Sequence, residues 1–394
     1  MKLKSEILSQ TELEQIKNLS TLDWELKDAD TRYYTHGYHQ YSAKYIPQIP
    51  NRLISNFTKK NDLVLDTFMG SGTTLVESKV LGRNAIGIDV NPLACLISKV
   101  KTTIIQKPAR VEISKILMLL KEDILDLRGN NTTFNHGEKR AIIYNSNGKI
   151  LHPNIPKWYH QNVIYELLTI KSRIDTVENK DVKDFLLVSL SSILRSVSNA
   201  TSGFGNLMIN KQALPKNRIY EKFALVIRDM LKSMSEYNVE ATNSDIRIVN
   251  HDSRKIEFIN DETIDFICTH PPYMAAVPYA EYQKLSLWWL GFSQYELEKR
   301  LIGGRRSRAD TPDRFFHDIS MALIEMKRVL RKKKYCCIII GNPVYNGKIW
   351  KLNDFIKKDA TDIGFILLTE INRRKYRSTM GKMKEEFILI FRNE

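Results

Sequence analysis

Residues 63–77 read LVLDTFMGSGTTLVE, and this stretch sets the architecture of the chain. Its apolar start, within DLVLD (62–66), has the length and composition of a short buried strand, and it closes on an acid, Asp66. A turn containing Gly70 and Gly72 follows, and TTLVESKVLG (73–82) then has the pattern of a helix. NAIGID (84–89) predicts a second strand and NPLACLISKVKT (91–102) a second helix, with Pro92 suited to its first turn. Strand, helix, strand and helix at this spacing imply a parallel sheet.

The turn itself narrows the chemistry. Glycines let the backbone bend sharply and let a ligand approach closely, and the helix behind them opens with free N–H groups. A phosphate-binding P-loop requires Gly-Lys-Ser/Thr, but Thr73 and Thr74 follow Gly72. A dinucleotide fingerprint requires a third glycine, and Leu75 stands in its place. The third reading is an S-adenosylmethionine site, which has no pyrophosphate to accommodate and where an acid near the turn attracts the cationic amino-acid part of the cofactor. GIDVNP agrees with it, since Asp89 ends the second strand where a carboxylate accepts from a ribose diol.

Further along, the rhythm is lost from about 103 to 245. That region carries helical patterns, VIYELLTIKSRI (163–174) and DFLLVSLSSILRSVSN (184–199) among them, separated by polar loops. Strand-like runs return at 246–250, 264–269, 335–341, 365–371 and 386–391, the last two fitting an antiparallel pair joined by a basic loop. The expected fold is therefore α/β, a Rossmann-like sheet with antiparallel closing strands, split by a mainly helical insertion. Three segments follow: 1–102 with the donor motifs, 103–245 as the insertion, and 246–394 completing the catalytic part.

Charge points to the partner. Sixty Lys and Arg against forty-five Asp and Glu leave a formal net charge of +15, which favours a polyanion. No apolar run approaches the roughly 18 residues of a spanning helix, and the N-terminus has no apolar signal core, so nucleic acid leads over a membrane. Cys95, Cys268, Cys336 and Cys337 form no CxxC pair, so neither zinc nor a disulfide framework is indicated, and a cytoplasmic setting is expected. No metal is expected.

A second motif lies in FICTHPPYMAAVPYAEYQKLSLWWLGF (266–292): the tetrad His270-Pro271-Pro272-Tyr273 after a strand. DTFMGSGTT together with THPPY resembles the amino-methyltransferases that modify exocyclic amines of DNA bases, giving N4-methylcytosine or N6-methyladenine. THGYHQYSAKYIPQIPNRLI (35–54) is similar to the segment that precedes the glycine motif in the N4-cytosine type, and VPYAEYQKLSLWWLGF resembles the helix after their Pro-Pro-Tyr loop. The resemblance covers roughly 33–100 and 246–394. It implies S-adenosylmethionine as donor, bound by Lys44, Tyr45, Asp66, Phe68, Gly70, Ser71, Gly72, Thr73, Asp89 and Asp252. Asp66 would meet the methionine amino group and Asp252 the adenine amine.

The chemistry accounts for the tetrad. An amine conjugated to its ring is a poor nucleophile, and acceptors aimed at its N–H groups draw the nitrogen toward a tetrahedral form. The resemblance gives that part to the side chain at 270 and a backbone carbonyl, with Pro271 the candidate and Pro272 stiffening the loop. Tyr273 is expected to stack on a base extruded from the duplex. His270 departs from the family, which usually has Asp, Asn or Ser. A neutral imidazole accepts one hydrogen bond and a protonated one accepts none, so activity is expected to fall at mildly acidic pH.

The chain ends within four residues of its last strand, so the insertion is the expected target-recognition region. Two basic clusters are expected at phosphates: Arg305, Arg306 and Arg308 in GGRRSRAD, and Arg373, Arg374, Lys375 and Arg377 in NRRKYRSTMGKMK (372–384). Taken together, the sequence is read as a site-specific methyltransferase of double-stranded DNA in a bacterial or phage restriction-modification setting with a cognate nuclease, N4 of cytosine ahead of N6 of adenine. An RNA guanine-N2 methyltransferase is one alternative, although only about thirty residues precede the Lys44 segment. A nucleic-acid-binding protein with a degenerate methyltransferase fold is another, resting on His270 alone.

Overall fold

The computed structural model describes residues 8–130, 152–201, 207–274, 278–302, 311–374 and 385–394. Its strands are β1 (Leu63–Asp66), β2 (Asn84–Ile88), β3 (Ile246–Val249), β4 (Ile264–Thr269), β5 (Leu330–Gly341), a small hairpin of β6 (Val344–Tyr345) and β7 (Lys348–Ile349), β8 (Phe365–Arg374) and β9 (Glu385–Asn393). Seven of them form one sheet in the order β3-β2-β1-β4-β5-β9-β8. The first five run parallel, and β9 lies antiparallel to both β5 and β8. This is the α/β sheet with antiparallel closing strands that the sequence leads one to expect.

Burial explains the order. Every residue of β4 is buried, as is the last half of β5, and such continuous apolar runs suit central parallel strands covered on both faces. β5 begins at Leu330, five residues before the expected start. Its opening Arg331–Lys333 is exposed, and that polarity hides the strand from a hydrophobic reading. The helix at Lys180–Val197 also begins earlier than expected, because Asn179 caps it by accepting from the N–H groups of Asp181 and Val182.

The turn between β1 and the helix Thr73–Val80 is fixed by Gly72, which sits at φ +77° as its N-cap. A Cβ there would stand 2.7 Å from the Ser98 Oγ, so glycine is required by both conformation and space. In the next helix, Pro92–Thr102, Pro92 opens the first turn and the Asn91 side chain accepts from the Leu93 N–H.

Residues 103–245 contain the helices Lys107–Asn130, Ile155–Trp158, Gln161–Asp175, Lys180–Val197 and Ile219–Glu240. Their apolar faces share a single cluster with Ile97 and Val100 of the helix after β2 and with Leu287 and Trp289 of the helix Lys284–Leu290. A buried polar chain crosses the same seam: His39 Nε2 lies 2.9 Å from the Ser191 Oγ, which donates to the Ser286 Oγ at 2.9 Å. The helical layer therefore packs directly on the elements that carry both sequence motifs. Among the described residues, no helix is long and apolar enough to cross a membrane.

Candidate active site

The carboxyl ends of β1, β2, β3 and β4 open on one edge of the sheet, where ligands of open α/β sheets bind. A cleft of about 750 Å³ lies there. Its walls come from the segment Tyr41–Tyr45, the loop Thr67–Ser71 with Thr73, Asp89–Asn91 after β2, Asp252 and Ser253 after β3, His270 and Pro272 after β4, and Tyr279 with Arg300–Ile302. Of the residues assigned from the sequence, the structure thus brings together Lys44, Tyr45, Phe68, Gly70, Ser71, Thr73, Asp89, Asp252, His270 and Pro272. Asp66, Gly72, Pro271 and Tyr273 stand behind this wall.

Asp89 and the glycine loop are held as one unit. The Asp89 carboxylate accepts from the Gly70 N–H at 2.9 Å and from the Asn91 N–H at 2.8 Å, leaving further lone pairs on both oxygens. Gly70 has φ +49°, and a Cβ on it would press on the Tyr41 ring. Burial pushes the Asp89 carboxyl up to about 6, against the two N–H donors that favour its ionised form. A carboxyl raised in this way favours the folded state fully below the usual carboxylate range and loses that contribution as pH rises through about 6. A ligand whose hydroxyls donate to the carboxylate favours the opposite, ionised form. Donor affinity is expected to weaken by up to about tenfold per pH unit below 6 and to be flat above it, measured by calorimetry from pH 5 to 8. In Asp89→Asn the same titration is expected to lose its slope.

Asp66 has a different place from the one expected. It is wholly buried, and both oxygens are engaged by the protein: Oδ1 accepts from the Phe68 N–H at 3.0 Å and the Thr269 hydroxyl at 2.8 Å, Oδ2 from the Thr74 hydroxyl at 2.5 Å. Burial pushes its carboxyl up to about 6. Asp66 ties the glycine loop to the residue preceding His270 and contributes no atom to the cleft wall.

Asp252 does line the cleft, but it also closes a turn. It accepts from the Arg254 N–H at 3.0 Å and pairs with the Arg254 guanidinium at 2.5–3.1 Å, while Arg254 reaches Asp318 at 2.8 Å. Burial opposes ionisation here, yet Arg254 outweighs it and holds the carboxyl below its usual range. The Lys44 ammonium donates to the His36 carbonyl at 2.9 Å, and the Tyr45 hydroxyl meets Thr74. Glu77 anchors this whole segment to the helix after the glycine loop, with His36, Tyr33 and Asn51 at 2.6, 2.8 and 2.7 Å.

Sequence reading missed Tyr41, Asn91, Tyr279 and Arg300. The Tyr41 and Tyr279 rings stack at 6.2 Å between centroids, and Asn91 joins Tyr41 to Gln283. Tyr41 and Tyr279 lie inside the quoted flanks, where each reads as one aromatic among several. Arg300 ends the helix Gln294–Arg300 and has no signal in the sequence; its charge acts on both Asp89 and Asp252.

In the tetrad, Tyr273 is 4% exposed, and its hydroxyl donates to Glu386 at 2.8 Å and lies 2.7 Å from His270 Nε2. Its ring packs in the core, so the expected stacking face is covered in this conformation. Arg373 requires a correction. It belongs to β8 and not to the basic loop, is 5% exposed, and pairs with Glu386 at 2.7 Å. A buried, paired guanidinium has no face left for a phosphate. Arg374 ends the same strand. Arg305, Arg306, Arg308, Lys375 and Arg377 lie outside the described residues.

The family model described as DNA methylase, of the N6 and N4 type, matches residues 4–100. The Type II methyltransferase M.MvaI of Kocuria varians is 29% identical over 71% of this chain and 64% of its own length. M.MjaII of Methanocaldococcus jannaschii is 25% identical over 89% of this chain and 79% of its own. This chain thus spans just under two thirds of the Kocuria protein. Among solved structures, a putative DNA modification methylase from Thermus thermophilus, complexed with S-adenosyl-L-methionine, aligns over 36% of this chain and 53% of its own at 17% identity and a TM-score of 0.25. Over these spans the chain is similar to the amino-group DNA methyltransferases, and this likeness supports S-adenosylmethionine as its cofactor.

The residues present fit that cofactor. The Ser71 hydroxyl, buried in the cleft wall, has no hydrogen-bond partner among the described residues, and the same cleft is lined by the Asp89 carboxylate with its spare lone pairs. A ligand with polar groups at this point satisfies both. Removing a hydroxyl that bonds to none of the described residues costs no hydrogen bond there, whereas one bond to a ligand is worth about 0.5–1.5 kcal/mol. Ser71→Ala is therefore expected to leave the melting temperature unchanged and to weaken donor binding by about 2–10-fold in calorimetry.

Proposed function

We propose that the chain transfers a methyl group to the exocyclic amine of a base extruded from double-stranded DNA, N4 of cytosine ahead of N6 of adenine, in a restriction-modification setting in the cytoplasm. The observation that carries this reading is the meeting of two motifs some two hundred residues apart. The glycine loop with Asp89 and the tetrad's His270 and Pro272 line one cleft. A donor site and an amine-recognition loop facing each other is what such a transfer requires.

The bound cofactor supplies a methyl group on a cationic sulfur. The residues of this chain do the rest. Asp89 and Ser71 hold the donor's polar groups. His270, with the Pro271 carbonyl, accepts hydrogen bonds from the amine, which localises its lone pair and directs it at the methyl carbon. Methylation leaves the nitrogen with one proton in excess; the neutral His270 imidazole takes it and becomes imidazolium, while the Pro271 carbonyl accepts a hydrogen bond only. The preference for cytosine rests on Thr269 before the tetrad and on the likeness of both flanks to the N4 type.

For the nucleic acid, the helical layer offers a groove of about 2160 Å³ whose charged lining is Arg32, Arg195, Lys216 and Lys222 against Asp229. Burial and then the charge of Lys216 hold the Lys222 amine below its usual range, so the two cations act on one another. A phosphate between them relieves that repulsion. Replacing both with alanine is expected to weaken binding evenly across sequences and to flatten the salt dependence by about two phosphate contacts, read from affinity against salt concentration.

Expression in a host free of DNA methylation, followed by mass spectrometry of the nucleosides, tests the function. N4-methylcytosine is the expected product. N6-methyladenine overturns the choice of base, and neither mark from folded, donor-binding protein overturns DNA methylation itself.

A further inference from the structure

Arg300 is the last residue of the helix Gln294–Arg300 and part of the cleft wall. It is half-buried, and among the described residues its guanidinium forms no hydrogen bond and no ion pair. The helix does not need it as an end charge, since Lys299 already supplies a cation to the last turn and pairs with Glu296 at 3.0 Å. Yet the charge of Arg300 favours the ionised forms of both Asp89 and Asp252, so it lies within reach of two carboxylates and is paired with neither. Each acid has its own protein donors, the Gly70 and Asn91 N–H groups for Asp89 and the Arg254 guanidinium for Asp252. All three side chains line one cleft, and the space between them is open to a ligand.

The backbone sets the two acids side by side. β2 and β3 pair in parallel as far as Ile88 and Val249, the Asp89 N–H donates to the Val249 carbonyl at 3.2 Å, and Asp252 lies just beyond. With the donor's ribose diol on Asp89, the adenine attached to that ribose has its ring beside Asp252. The edge of that ring carries the hydrogen-bonding groups, and its faces call for flat or apolar cover. Leu301 and the buried Ile302 follow Arg300 in the same wall. A guanidinium is planar, weakly hydrated and stacks on π-systems through its face, which leaves its N–H donors free at the edge. That geometry needs no carboxylate partner, in agreement with the unpaired state of Arg300.

We propose that Arg300 covers one face of the donor's adenine ring, with Leu301 and Ile302 extending the cover. The proposal rests on the cleft being the donor site and not on which base is methylated. It gives the helix Gln294–Arg300 a part in selecting the cofactor. Because donor and product share the ring, Arg300 contributes equally to the binding of both.

Calorimetric titration with adenosine and with S-adenosylhomocysteine, neither of which carries a transferable methyl group, tests the contact apart from turnover. Arg300→Ala is expected to weaken both by the same factor, about 3–30-fold, with the melting temperature held. Arg300→Phe keeps a flat face without an N–H and is expected to regain most of that loss. A folded Arg300→Ala that binds both ligands as the wild type does overturns the proposal. So does a loss confined to S-adenosylhomocysteine, which places Arg300 at the amino-acid end. A folded Arg300→Phe that binds no better than the alanine variant overturns it too, since the contact is then a hydrogen bond. A wild type that binds neither ligand overturns the donor site and this proposal with it. One that binds both and methylates no DNA overturns the proposed function alone, and the two variants still decide the place of Arg300.

Discussion

His270→Ala is expected to lower the rate of methyl transfer by about 10²–10³-fold, the loss found when a preorganised hydrogen-bonding group at a reacting centre is removed. Donor affinity is expected to hold within about twofold, because the residues proposed to grip the donor are Asp89, Ser71 and the glycine loop, whose hydrogen bonds described above do not involve His270. Single-turnover rates measured beside donor titrations separate the two effects. Should donor affinity fall as far as the rate, His270 would be supporting the cleft and not acting on the amine. The buried position of the ring, edge-on to Tyr45 at 5.2 Å and to Tyr273 at 5.1 Å, makes alanine a modest packing loss set against a large chemical one. His270→Asn is the companion variant. An amide oxygen accepts without a tautomer, so asparagine is expected to restore part of the activity.

Arg373→Ala is expected to cost about 3–5 kcal/mol of stability, because it leaves a buried carboxylate without its cation. Glu386 is 1% exposed and its pair with Arg373 is matched across the hairpin that closes the sheet. Denaturant unfolding of Arg373→Ala, Glu386→Gln and the double variant forms a cycle that isolates the pair from the packing of either side chain. The double variant is expected to be more stable than Arg373→Ala alone, since a neutral amide at 386 no longer needs a counter-charge. A loss below about 0.5 kcal/mol, the level of exposed pairs, would mean that water reaches Glu386 in solution.

The two results bear on different parts of the same line of residues. In the proposed reaction His270 meets the substrate, while Arg373 pairs with Glu386 across the closing hairpin. A basic residue counted from the sequence as a phosphate contact becomes, once placed in β8, a structural cation pointing into the protein.

Much of the fold was legible because its signals are local. The run before Asp66, the turn at Gly70 and Gly72, and Pro92 at a helix start each follow from sterics over a few residues. Boundaries failed where polar residues belong to regular structure, as in the exposed opening of β5 and the charged first turn of the helix capped by Asn179. The cleft was legible in proportion to motif content. Residues of the glycine loop and the tetrad announced themselves, whereas Arg300 reaches the same cleft from a surface helix with an ordinary charged composition.

The sequence by itself determined the α/β class, the glycine turn with Asp89 at the end of the next strand, and the position of the His-Pro-Pro-Tyr tetrad after a strand. Those depend on chemistry carried by neighbours in the chain. Tertiary structure alone decided which atoms face the ligand. Asp66 turns away because three protein donors claim its oxygens, and Tyr273 turns inward because Glu386 and His270 hold its hydroxyl. Such choices are made by partners far away in sequence, Thr269 for the one and Glu386 for the other, and hydrogen-bond satisfaction in a buried site leaves no trace in a local pattern.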